Sequence, residues 1–237
     1  NNSLLDKSVR NYALRKKYFA DMDNLTIVSC SRWISDLTKE SFLKNKRVEV
    51  FHNGVNLSRF KPVVKKSDST KFCILGVAAV WEPRKGFNDF LKLREMLPKE
   101  TFQITLVGLK EEQIKSLPKG ITGITRTTSI DEMVLLYSDA DVFVNPTYSD
   151  NFPTTNIEAL ACGTPVITYR TGGSPEAIDE KTGVVVEQGN IDALAEAIMK
   201  MRENPLSSGD CRKHAEEHFD KDKCFEKYVE LYEELLN

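Results

Sequence analysis

The stretch from Val144 to Ala177 reads V-N-P-T-Y-S-D-N-F-P-T-T-N-I-E-A-L-A-C-G-T-P-V-I-T-Y-R-T-G-G-S-P-E-A. An apolar strand breaks into a polar loop, a helical segment over 154–162 follows, and a second apolar strand at 165–169 ends in a glycine turn. Two acids stand eight apart, Asp150 and Glu158, with the turn formers Asn151 and Pro153 between them. Gly163, Gly172, Gly173 and Pro175 follow. An ordinary core element does not mix apolar runs with so many polar and turn residues. The stretch reads as the floor of a ligand site.

Outward from it, apolar runs alternate with amphipathic segments from Lys71 onward. Strands are expected at 72–79, 102–108, 121–125, 141–145, 165–169 and 183–186. Helices are expected at 86–96, 110–116, 130–138, 154–162 and 191–202. That alternation predicts an α/β fold, a parallel sheet covered by helices on both faces. Ligands bind such sheets at the carboxyl ends of the strands. The loops 79–86, 108–110, 126–130, 146–153 and 170–175 all follow strands, so they converge on one edge.

Upstream, residues 4–19 have helical spacing and carry the basic cluster Arg15-Lys16-Lys17, a solvated face that also leaves peripheral contact with anionic lipid open. Strands are expected at 25–30 and 48–51, with Ser31 capping a helix from Trp33 to Leu43. His52-Asn53-Gly54-Val55-Asn56 makes a turn, and the polar stretch 62–70 reads as a linker. The last helix, 221–236, has a one-sided apolar stripe that needs a partner surface.

Composition narrows the function. The formal charge of −2 over 237 residues argues against a nucleic-acid partner, which needs a basic surplus. The five cysteines, at 30, 73, 162, 211 and 224, form no CxxC pair, which suits reduced thiols in a cytoplasmic protein. The longest near-continuous apolar run, Cys73–Trp81, is far too short to span a bilayer. The chain starts at Asn1, and a fragment of a longer protein is expected.

Three groups of residues carry candidate chemistry. Pro153 suits the first turn of a helix, whose free N–H groups attract a phosphate or sugar. Asp150 and Glu158 would then accept hydroxyl hydrogen bonds; alternatively Asp150 or Asn151 is an N-cap and Glu158 a surface residue. Trp81-Glu82-Pro83-Arg84-Lys85-Gly86 places two cations at a strand end, suited to a diphosphate or else a solvated charge pair. Asp21-Met22-Asp23 and Asp139-Ala140-Asp141 have D-x-D spacing, but each precedes an apolar run, whereas a metal-binding pair follows a strand. His214 and His218 lie four apart without a third ligand and read as part of a solvated helix. No metal site is expected. The sequence has no dinucleotide-binding glycine fingerprint, no P-loop and no serine-hydrolase elbow.

Taken together, D-N-F-P-T-T-N-I-E-A-L-A-C-G-T-P-V-I-T-Y-R-T-G-G-S-P-E, from Asp150 to Glu176, resembles the E-x7-E, E-A-x-A-x-G-x-P-V-I and G-G-x-x-E pattern of retaining glycosyltransferases of family 4 (group 1), which have the GT-B fold. Asn53–Pro62 (N-G-V-N-L-S-R-F-K-P) resembles the family's inter-domain linker, and Arg84–Gly86 its donor-phosphate loop. The likeness is greatest to the branch that builds bacterial surface polysaccharides.

The resemblance implies two Rossmann-like domains in the family, of which this chain holds one. Residues 63–220 would be the donor domain, 1–62 the remnant of the acceptor domain with its linker, and 221–237 a helix crossing back. It further implies transfer of a hexose from a nucleotide-diphosphate sugar to a saccharide or lipid-linked acceptor, with retention, without metal or other cofactor, in the cytoplasm or at the inner membrane face. Glu158 would hold the ribose, Asp150 would lie by the sugar, and Lys85 would bind the diphosphate. Asn151, Phe152 and Thr154 would offer backbone N–H groups, while Phe152, Pro153, Thr154 and Thr155 tune the sugar. The loop Arg126–Ile130 would flank the base. Two positions depart from the pattern. Asp150 replaces the usual Glu, and Val80 stands where the family has an Arg, a cation that Arg84 would supply. The family's catalytic histidine falls outside this chain, so weak transfer by the chain alone is expected. Two alternatives remain, a nucleotide-sugar-binding module without turnover and a nucleotide-sugar 2-epimerase.

Overall fold

The computed structural model describes residues 6–64 and 70–237, so Leu4, Leu5 and the middle of the 62–70 stretch lie outside the described residues. The chain opens with α1 (Ser8–Phe19), β1 (Thr26–Ser29), α2 (Arg32–Lys39) and β2 (Arg47–Val50). Then come β3 (Phe72–Val77), α3 (Phe87–Met96), β4 (Phe102–Val107), α4 (Glu111–Lys115), β5 (Ile121–Ile124) and α5 (Ile130–Asp139). The rest comprises β6 (Val142–Asn145), α6 (Thr154–Ala161), β7 (Val166–Tyr169), β8 (Gly183–Val186), α7 (Ile191–Glu203), α8 (Ser208–His218) and α9 (Lys221–Leu236).

Strands β3 to β8 form one parallel sheet in the order β5-β4-β3-β6-β7-β8. The chain starts at β3, winds outward through β4 and β5, then returns to the other side of β3 at β6. The direction reverses between β3 and β6, and a crevice opens at such a reversal beyond the strand ends. Two buried clusters sandwich the sheet. Ile74, Val142, Val144 and Ile167 face one cluster with Phe90 and Leu93 of α3 and Leu194 and Ile198 of α7. Leu75, Phe143 and Val166 face the other with Tyr137 of α5, Ile157 and Leu160 of α6, and Cys211 and Ala215 of α8. Neighbours along each strand point to opposite clusters, as strand geometry requires, so both faces are apolar. This is the doubly wound α/β architecture that the alternation predicts.

The N-terminal segment is a single parallel pair, β1 with β2, joined by α2. It is a partial second Rossmann-like unit. Ser31 caps α2 by accepting the Ile34 N–H at 3.2 Å. The helix stops at Lys39 rather than Leu43, because Ser41 Oγ bonds Thr38 O at 2.7 Å and accepts the Leu43 N–H at 3.0 Å. The last helix lies against this unit. Arg47 of β2 pairs with Glu234, and the Phe51 and Tyr228 rings meet edge to face at 5.0 Å.

The helix bearing His214 and His218 differs from the solvated one expected: Cys211 and Ala215 are fully buried, on the side packed against α6. His214 lies 3.3 Å from Asp179.

Candidate functional site

The reversal point places two loops side by side. The loop after β3 is pinned from below by Trp81, whose indole N–H donates to Val107 O at 2.8 Å. Pro83–Lys85 then make one 3-10 turn, which Gly86 ends in a left-handed conformation at φ 77. A Cβ on Gly86 would meet Pro146 O at 2.2 Å, so only glycine admits the second loop so close. That second loop follows β6. Tyr148 N–H donates to Arg84 O at 2.7 Å, and Thr147 Oγ1 donates to the same carbonyl at 3.3 Å.

This zipper brings Lys85 Nζ to 2.5 Å from Asp150 Oδ2. Their side chains are 22% and 18% exposed, so the pair is sheltered yet open to a ligand. A cavity of about 450 Å³ lies over them, with Val80, Arg84, Phe152, Pro153, Thr154 and Thr155 also on its wall. Arg84 sits at the rim. Its guanidinium pairs with Glu82 at 2.9 Å and reaches Ser149 O at 3.4 Å. The larger cleft between β8 and α7, about 660 Å³, is mostly apolar and holds neither Lys85 nor Asp150.

Helix α6 enters beside the cavity. Pro153 occupies its N-cap position, and no side chain caps it. Neither Asp150 nor Asn151 is therefore an N-cap, which closes that alternative. Glu158 lies one turn inside, on the same face as Thr154. It is no free surface carboxylate. Tyr137 Oη donates to its Oε2 at 2.9 Å. Burial pushes the Glu158 pKa up, while hydrogen bonds from the Tyr137 and Thr154 hydroxyls pull it back.

A buried polar network supports the floor. Asn145 Nδ2 donates to Asn156 Oδ1 at 2.8 Å, and Asn156 Nδ2 donates to Ser174 O and Oγ at 3.2 and 3.1 Å. Thr168 Oγ1 donates to Asn145 O at 3.0 Å. The network joins β6, α6, β7 and the turn Ser174–Ala177. Ahead of that turn, Gly172 at φ 54 comes so close that a Cβ would lie 1.9 Å from Asp150 O.

Sequence reasoning assigned no role to Glu176, which the structure places at the joint between the units. Its carboxylate accepts the N–H groups of Arg32 at 2.8 Å and Trp33 at 2.9 Å, at the start of α2. His52 Nε2 lies 2.9 Å from the same carboxylate, and the His52 ring stacks on Phe152 at 4.8 Å. Phe152 thus turns its ring toward the joint. Arg126 is exposed, and Ile130 opens α5; neither lines the cavity over Lys85. Among the described residues, no three His, Cys, Asp or Glu side chains converge as a metal-ligand set. No described helix is long and apolar enough to cross a membrane.

The sequence profile of the family described as "Glycosyl transferases group 1" matches residues 70–204, which takes in both loops, Lys85, Asp150, Glu158 and Glu176. The chain belongs to the group 1 glycosyltransferases. Relatives include the GDP-mannose-dependent monoacylated alpha-(1-6)-phosphatidylinositol monomannoside mannosyltransferase of Corynebacterium glutamicum, 24% identical over 81% of this chain and 56% of that protein. The alpha-galactosylglucosyldiacylglycerol synthase of Streptococcus pneumoniae is 27% identical over 84% of this chain and 56% of that protein. The chain spans about half the length of the curated relatives it matches. Among solved structures, sucrose-phosphate synthase from Thermosynechococcus elongatus superposes with a TM-score of 0.82, at 22% identity, over 99% of this chain and 64% of that one. HepE from Anabaena, solved in complex with UDP-glucose, superposes with a TM-score of 0.77, at 18% identity, over 96% of this chain and 68% of that one. These likenesses establish the same fold.

Proposed function

We propose that this glycosyltransferase chain is the donor-binding half of an enzyme that transfers a hexose from a nucleotide-diphosphate sugar, with retention and without a metal. The observation that carries the reading is the Lys85–Asp150 pair at the sheet's reversal point, beside a helix start that no side chain caps. A departing nucleoside diphosphate must have its charge neutralised. A lysine ammonium and oriented N–H groups do this in a sheltered site without metal. On donor binding, Lys85 turns from Asp150 to the diphosphate, and Arg84 leaves Glu82 to join it. Asp150 is then free to accept a sugar hydroxyl, and Glu158 accepts from the ribose. Asn151, Pro153, Thr154 and Thr155 edge the sugar, and Arg126 and Ile130 flank the base.

Residues 63–220 would form the donor domain, with 1–62 and 221–237 belonging to the acceptor side. The acceptor is a saccharide or a lipid-linked sugar, a choice consistent with relatives named for lipid-linked substrates. Five scattered cysteines without a CxxC pair suit the cytoplasm, and a lipid acceptor would bring the enzyme to the inner membrane face. Because the chain spans about half of its relatives, a second reading is nucleotide-sugar binding without turnover.

The test is calorimetric titration of the chain with UDP, GDP and their glucose and mannose conjugates in excess chelator. Binding of one nucleotide family at micromolar strength supports the donor site. Binding that appears only with added magnesium would overturn the metal-free reading, and no binding would overturn the donor site itself. Turnover by the full-length protein then separates transferase from binding module.

A further inference from the structure

We infer that Tyr137 is the positioning residue that aims Glu158 at a vicinal diol, and so gives the site its preference for ribose over deoxyribose. This rests on the donor-site reading above. Tyr137 is fully buried in α5, yet its hydroxyl is satisfied by a side chain from another helix, Glu158 Oε2 at 2.9 Å. The tyrosine itself has no room to move. Its ring is held edge to face by Phe143 at 5.6 Å and Phe60 at 6.4 Å. Its backbone carbonyl accepts Thr164 Oγ1 at 2.6 Å. A fixed donor therefore fixes the carboxylate.

The arithmetic of acceptor sites makes this selective. An ionised carboxylate offers about four lone-pair positions. The Tyr137 hydroxyl occupies one, on Oε2. The positions left include the two that the hydroxyls of a ribose need. Removing one sugar hydroxyl strands an acceptor that water cannot easily reach, and such sites reject the poorer analogue more strongly than they favour the better one. A carboxylate free to rotate would refill its vacant position from solvent and lose that discrimination. Tyr137 also lies in the helix that the loop Arg126–Ile130 opens, so base side and ribose side share one rigid element.

The test measures Kd for UDP, 2′-deoxy-UDP and 3′-deoxy-UDP (or the GDP series, whichever the wild type prefers) on the wild-type chain and on Tyr137→Phe. Wild type should prefer the ribonucleotide by about tenfold or more, the scale of one hydrogen bond to a charged group. In Tyr137→Phe the ratio should fall to within about threefold of unity, with the ribonucleotide losing most. Phe keeps the ring, so the melting temperature controls for packing. A variant that weakens ribo- and deoxynucleotides alike, with the ratio intact, would overturn the inference and leave the donor site standing. A wild type that does not distinguish them, or binds neither, would overturn the ribose role of Glu158 and the inference with it.

Discussion

Replacing Glu176 by glutamine isolates the tie between the two units. In the native chain one carboxylate oxygen takes the Arg32 N–H at 2.8 Å and the other takes the Trp33 N–H at 2.9 Å. Glutamine keeps one acceptor oxygen, which stays with the Arg32 N–H and beside His52 Nε2, and turns its amide NH2 toward the Trp33 N–H. One backbone N–H at the start of α2 then loses its partner, at about 1–3 kcal/mol. The Glu176 side chain is 15% exposed, so water compensates in part and the lower half of that range applies. Losing a negative charge at the positive end of α2 adds about 0.3–1 kcal/mol. Ser31 still caps the helix. The sum is about 2 kcal/mol, and for a chain of this size about 2–4 °C is lost per kcal/mol. Thermal melting of Glu176→Gln should therefore show a drop of about 4–8 °C. In urea the midpoint should fall with the slope unchanged, unless the N-terminal unit now melts separately and splits the transition. An unchanged melting temperature with a single transition would show that the carboxylate does not join the units, and would remove the structural reason for a glutamate there.

Three further perturbations test the site. Lys85→Met should weaken nucleoside-diphosphate binding by about 2 kcal/mol, or about thirtyfold in Kd, while barely affecting the free nucleoside; equal losses for both would remove the diphosphate role. Arg84→Ala should raise the Kd of the nucleotide sugar without lowering the melting temperature, and an unchanged Kd would show that Arg84 does not replace the cation absent at Val80. Glu158→Gln should stabilise the chain at neutral pH while weakening ribonucleotide binding. Burial raises the Glu158 pKa, so the folded state binds its proton more tightly than the unfolded one. Native stability therefore falls as pH rises above the ordinary value of 4.5, until the folded-state pKa is passed. The variant should lack that decline in melts run from pH 4 to 8, and a parallel profile would contradict the burial of the carboxylate.

The sheet was legible because its signals are local. Each strand from β3 to β8 is an apolar run, each helix but α4 and α8 an amphipathic one, and periodicity reports both without knowledge of partners. The loops could be placed at one edge for the same reason. What periodicity does not report is pairing across distance. Lys85 and Asp150 were both visible as loop residues, but their contact spans 65 positions and depends on β3 and β6 being neighbours. Glu176 reaches Arg32 across 144 positions, and in the sequence it is only the end of a glycine turn. Tyr137 reads as core, and its hydroxyl matters only once α5 and α6 are packed together. Helix α8 does not announce its buried side, because the residues there, Cys211 and Ala215, are small and leave a weak apolar stripe.

The way the loops are joined decides how the site can vary. Tyr148 N–H and Thr147 Oγ1 both bond the carbonyl of Arg84, not its guanidinium. Gly86 meets the backbone of Pro146, and Gly172 the backbone of Asp150. The two loops are therefore joined largely through main-chain groups, with glycine where a Cβ would intrude. Side chains that face the cavity are left with little structural duty. Lys85 and Asp150 neutralise each other, but a sheltered ion pair adds little net stability because desolvation offsets its attraction. Such a pair suits a donor site for another reason. It keeps both charges satisfied while the site is empty, and it would release both if a diphosphate competed for the ammonium. The shorter acid fits this geometry. Asp150 sits on a loop already drawn against Lys85 by the carbonyl of Arg84, so one methylene less still reaches the lysine. Thr154, Thr155 and Arg84, which line the cavity, can then be exchanged without moving the backbone that holds them.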